Sequence, residues 1–155
     1  MSYDPTLGIL VASPVRELAG LRNGSLASEA DVRVAVGTPH VVAGTGLPAD
    51  ASTSDVLINV TVPRSAAAAS ALGVSVLANA SAGVPFGGVL TMVNFTAPDA
   101  NGTITALASI RTLNPCGSGS DGATTASFPI LEGETALDVR ILVDRSVVEV
   151  CPNRP

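Results

Sequence analysis

The chain has no tryptophan, no lysine, a single histidine and four aromatic rings in 155 residues. Eight arginines stand against thirteen acidic groups, leaving a net charge of −5. A polyanion binder needs a basic stripe that displaces counterions, and no such stripe exists, so nucleic acid is excluded as a partner. The longest unbroken small or apolar run, Ala66 to Val74, is alanine-dominated and much too short to span a bilayer, so no membrane partner is expected.

His40 stands alone, and Cys116 and Cys151 have no metal-ligand spacing such as C-x-x-C. No metal site and no cofactor are therefore expected. The two cysteines are either a disulfide, if the chain meets an oxidising compartment, or two unrelated thiols. His40 lies in Gly37-Thr38-Pro39-His40-Val41 with no G-x-S-x-G elbow to accompany it, which argues against a serine triad. Gly83-Val84-Pro85-Phe86-Gly87-Gly88 lacks the Lys-Ser/Thr of a phosphate loop and reads as a bend between strands. Asp144 and Glu149 are the one tempting carboxylate pair, but nothing apolar beside them raises a pKa, and they read as a solvated sheet face. No catalytic residue is assigned. Four aromatics also leave little for the stacking platforms that a sugar-binding surface uses.

What is abundant is glycine, proline, valine, serine and threonine. Fifteen glycines and eleven prolines exceed the usual share of about 12 %. Together with many β-branched residues they predict short strands and frequent turns rather than long helices. A chain of this length forms one core.

Five of the seven asparagines begin an N-x-Ser/Thr sequon: Asn23, Asn59, Asn79, Asn94 and Asn101. Chance alone gives roughly one at this serine and threonine content. The excess points to the secretory pathway, whereas Met1-Ser2-Tyr3-Asp4-Pro5 has neither the basic nor the apolar part of a signal peptide. The expectation is a secreted or vacuolar product whose leader is missing from this sequence.

Residues 1–29 read as a linker. Ser13-Pro14 suits a helix start, Val15, Leu18 and Leu21 fall on one face, and Asn23-Gly24 stops the run. A helix this short needs a surface to lie on, which marks Val15, Leu18 and Leu21 as a candidate domain interface. From residue 30 to 155 the period is that of strands. Val32, Val34 and Val36 alternate with Asp31, Arg33 and Ala35, and Val56 to Val62 do likewise with Asn59 and Thr61 outward. Residues 73–78, 89–95 and 103–110 are further strands, with Asn101-Gly102 as a turn between the last two. Val139, Ile141 and Val143 share a face with Val148 and Val150 if Val143 pairs Val148, which places Arg140 and Glu149 together on the other face. Seven or eight such strands predict an all-β fold, an antiparallel β-sandwich of jelly-roll type.

Two segments carry a resemblance. Tyr3-Asp4-Pro5 with Ser13-Pro14-Val15-Arg16-Glu17-Leu18-Ala19-Gly20-Leu21-Arg22 is similar to the linker that leaves the catalytic propeller of glycoside hydrolase family 32, the invertases and fructan hydrolases. Leu137-Asp138-Val139-Arg140-Ile141-Leu142-Val143-Asp144-Arg145-Ser146-Val147-Val148-Glu149-Val150 resembles the Val-Asp-x-Ser-Val/Ile-Val-Glu hairpin of that family's C-terminal β-sandwich. The resemblance implies a non-catalytic module whose partner is the propeller of the same full-length protein. The propeller motifs Trp-Met-Asn-Asp-Pro, Arg-Asp-Pro and Glu-Cys have no counterpart, so no catalytic residue carries over. Family members continue past the hairpin where this chain has Cys151-Pro152-Asn153-Arg154-Pro155, so a sandwich lacking its last strand is expected. A free-standing secreted sandwich that binds carbohydrate or protein is the alternative.

Overall fold

The computed structural model describes residues 2–5, 9–11, 16–22, 24–42, 53–64, 70–77, 88–112, 124–144 and 147–153. It is all-β, with two antiparallel sheets stacked as a sandwich. In chain order the strands are β1 (Ser2–Asp4), β2 (Ile9–Val11), β3 (Thr53–Thr61), β4 (Ser70–Val76), β5 (Val89–Phe95), β6 (Ile104–Thr112), β7 (Thr124–Ile130), β8 (Ala136–Asp144) and β9 (Val147–Asn153). β4 to β7 form a four-stranded meander, while β8 lies between β3 and β9 in a three-stranded sheet. The sheet of three therefore joins the first long strand to the last two, with the meander inserted between them.

One core lies between the layers. Val93, Phe95, Ile104, Ala106 and Ile130 come from the meander, and Leu137, Val139, Ile141 and Val143 from β8. Ile104, Leu137 and Ile141 are wholly buried, and each stabilises the fold by about 1.5–3 kcal/mol. Strict alternation along β8, buried at every second residue, is what a strand with one wet face demands. Thr91 shares the inward row of β5; its hydroxyl is buried and has no hydrogen-bond partner.

The β8–β9 hairpin has the expected register, with Val143 opposite Val148 and Ile141 opposite Val150. At the Asn101-Gly102 turn, Gly102 takes φ +77°, a region that suits glycine. The Asp99 carboxylate accepts the backbone N–H groups of Asn101 and Thr103, both at 2.8 Å. Arg64, just past β3, donates to the carbonyls of Leu131 and Glu134 and so braces the turn entering β8. Pro129 and Pro152 stand in the rim strands β7 and β9, where a missing N–H is tolerated.

One expectation needs correction, the linker helix is found in a particular form, and two elements are additional. Val32, Val34 and Val36 form no strand: residues 24–42 contain none, and all three valines are exposed, Val36 completely. Alternation without a neighbouring ladder leaves the backbone to water, and Asp31 at φ +55° interrupts the extended run. The linker helix is a 3₁₀ helix, Arg16–Leu21. It is too short to gain from α-helical cooperativity, and Gly20 lies within it. Finally, β7 and the small β1–β2 hairpin were not anticipated. Ser13, Pro14 and Val15, and the segments 43–52, 65–69, 78–87 and 113–123, lie outside the described residues.

Candidate functional site

Among the described residues, the densest polar constellation sits on the outer face of the three-stranded sheet. Asp55, near the start of β3, pairs in register with Leu142, and Arg140 pairs with Leu57. Asp55 and Arg140 are thus diagonal neighbours on one face. Arg140 meets the carboxylate with its fork: Nε donates to Oδ1 at 2.8 Å and Nη2 to Oδ2 at 2.7 Å. Arg22, the first residue after the 3₁₀ helix, donates from Nε to the same Oδ2 at 2.7 Å, with its Nη2 2.6 Å away. Asp55 and Arg140 retain only 14 % and 13 % of their side-chain exposure, Arg22 40 %.

The Arg140 hydrogen bond is the largest influence on Asp55 and holds its pKa below the ordinary carboxylate value. Burial pushes the other way, and Arg22 adds to the lowering. A carboxylate held ionised between two guanidinium groups is a poor proton donor. The contacts fasten residue 22 to the sheet.

Elsewhere, His40 Nε2 lies 2.6 Å from Glu29 Oε2 across the exposed 24–42 segment. Asn59 Nδ2 donates to Asp138 Oδ1 at 2.7 Å, directly across β3 and β8. Among the described residues no three metal-ligating side chains converge, and no helix is long and apolar enough to cross a membrane. Asp144 and Glu149 are both exposed.

Of the candidate interface residues, Leu18 is half-buried, Leu21 is 78 % exposed, and Val15 lies outside the described residues. Asn59 and Asn101 are exposed on β3 and at the β5–β6 turn, and Asn94 is half-buried on β5. Asn23, Asn79 and Cys116 lie outside the described residues, and Cys151 is placed opposite Arg140 by its backbone. From sequence Arg140 is placed on this face with Glu149, but its link to Asp55 and Arg22 is not read. The two arginines lie 33 and 85 positions from Asp55, and no local spacing announces the link.

No protein-family model, no curated protein and no solved structure matches this chain.

Proposed function

We propose that this chain is the non-catalytic β-sandwich module of a β-fructofuranosidase-like glycoside hydrolase, of the kind found in family 32. In this reading it packs on a catalytic propeller of the same protein, stabilises it, and works in the secretory pathway or vacuole on a protein that hydrolyses sucrose or fructans.

One observation carries the reading. The linker-like stretch ends at Arg22, the hairpin-like stretch contains Arg140, and both bond the carboxylate of Asp55. Two segments similar to one family are joined where a linker has to be held rigidly against its sandwich if the preceding domain is to keep a fixed pose. The remaining chemistry fits a supporting role, since Asp55, a carboxylate with a lowered pKa, is committed to two arginines.

Two measurements test the proposal. The purified 155 residues release no glucose or fructose from sucrose or inulin; measurable hydrolysis by this chain alone overturns the non-catalytic role. Sequencing the complete transcript yields, upstream of Met1, a propeller with the three missing carboxylate motifs; a transcript without it overturns the family reading.

A further inference from the structure

We propose that the sheet topology orders N-glycosylation of the described sequons, with Asn101 the principal acceptor, Asn59 second and Asn94 nearly silent. This rests on the secretory-pathway part of the reading above and is independent of the propeller part. In the transfer, Asn Nδ2 forms a bond to the anomeric carbon of an oligosaccharide carried on a lipid pyrophosphate. The bond from that carbon to the pyrophosphate oxygen breaks, the pyrophosphate leaves with the electron pair, and Nδ2 gives up one proton. The transferase must reach the amide before folded structure encloses it.

The three asparagines differ in how long that access lasts. Asn101 is exposed at the apex of the β5–β6 connection. Its turn is tied from within by Asp99, through the backbone N–H groups of Asn101 and Thr103, so the side chain is presented to solvent after folding as well as before. Asn94 lies on β5, a central strand, between Ala71 of β4 and Leu107 of β6. β4 precedes it in the chain and β6 is the very next strand. The hydroxyl of its sequon threonine, Thr96, accepts the Thr105 backbone N–H at 3.0 Å, so one end of the motif is held by that bond and the other by strand pairing on both sides. At a synthesis rate of 5–20 residues per second, the partner on β6 follows within about one to three seconds, and a hairpin closes in microseconds.

Asn59 lies on β3, which among the described residues is a rim strand laddered to β8 alone. Its amide hydrogen bond goes to Asp138, 79 positions later. The same rate leaves it unpaired for roughly 4–16 seconds. Its Nδ2 keeps one hydrogen after the transfer, so the bond to Asp138 survives a glycan.

The test translates the full chain behind a heterologous cleavable signal into microsomes that carry the transferase, and reads each site by glycopeptide mass spectrometry. The expected order is Asn101, then Asn59, then Asn94. Leu107→Pro, which blocks the β6 side of the Asn94 pairing, raises Asn94 occupancy several-fold. A second arm offers the folded, unglycosylated chain to the solubilised transferase with its lipid-linked donor, where Asn101 is the acceptor and Asn59 and Asn94 are not. Asn94 as fully occupied as Asn101, an Asn94 unmoved by Leu107→Pro, or no site modified at all each overturns the proposal. Because the signal is supplied, such a failure leaves the fructofuranosidase reading standing, and that reading fails on the transcript instead.

Discussion

Arg140 grips Asp55 with both ends of its fork, Nε to Oδ1 and Nη2 to Oδ2, although 85 positions separate them. The contact stitches β8 to β3 on the outer face of the sheet, and Arg22 joins it from the linker. Removing either member of the β3–β8 pair takes the two-pronged contact away from a mostly covered charge. Arg140→Ala and Asp55→Ala are each expected to lose about 1–3 kcal/mol. Arg22→Ala, on the more exposed arm, is expected to lose no more than about 1 kcal/mol. Urea denaturation of the three variants checks the order, and an Arg22 variant weaker than the Arg140 variant contradicts it.

The same pairing has a pH signature. The pKa of Asp55 is lowered in the folded chain, whereas an unfolded aspartate titrates near about 3.9. Between those two values the unfolded chain binds more protons than the folded one, so stability rises with pH there. The contribution is complete above the unfolded value and is lost as the pH falls through the folded one. Unfolding midpoints measured from pH 6 down to pH 2.5 should fall less steeply for Asp55→Asn than for the parent. Parallel curves would count against the argument.

Thr91 buries its hydroxyl in the core without a partner. A methyl group in its place removes that unmet desolvation while keeping the shape. Thr91→Val is expected to stabilise by about 1 kcal/mol, which corresponds to roughly 2–4 °C in Tm for a chain of this size. Calorimetry decides it, and a lower Tm shows that the hydroxyl has a function in the folded state.

The two faces of the three-stranded sheet should respond oppositely to truncation. Leu137 and Ile141 are wholly buried, whereas Leu57 is largely exposed. Leu137→Ala or Ile141→Ala is expected to cost about 2–5 kcal/mol, and Leu57→Ala to stay within about 0.5 kcal/mol. Val36→Ser, on a side chain wholly in solvent, should be equally quiet. A large loss at Val36 would mean that residues 30–36 do belong to a packed strand.

The contrast between Val36 and Val143 explains how much of the fold was legible. Both sit in alternating valine runs. Val143 has a returning strand only a few residues away, so alternation, turn and register could be read together, and the pairing with Val148 followed. Val36 has the alternation but pairs with no strand among the described residues. β7 was hidden for the opposite reason: Thr124-Thr125-Ala126-Ser127-Phe128-Pro129-Ile130 has little apolar periodicity and contains a proline, and it is a strand because β6 pairs with it. The Asp55 cluster could not be read at all, because it depends on which strands become neighbours. Nothing near Asp55 in the chain specifies β8.

The placement of β3 and β9 on either side of β8 also governs how the sandwich carries tension. Thr53, where β3 begins, lies beside Asp144, while Asn153, where β9 ends, lies beside Asp138 at the opposite end of the same strand. A pull on those two points slides three ribbons lengthwise past one another and loads their cross-strand bonds, which run perpendicular to the strands, all at once. Peeling, which breaks such bonds singly, is avoided. Under a load applied at Thr53 and Asn153 the three-stranded sheet is therefore expected to resist by shear.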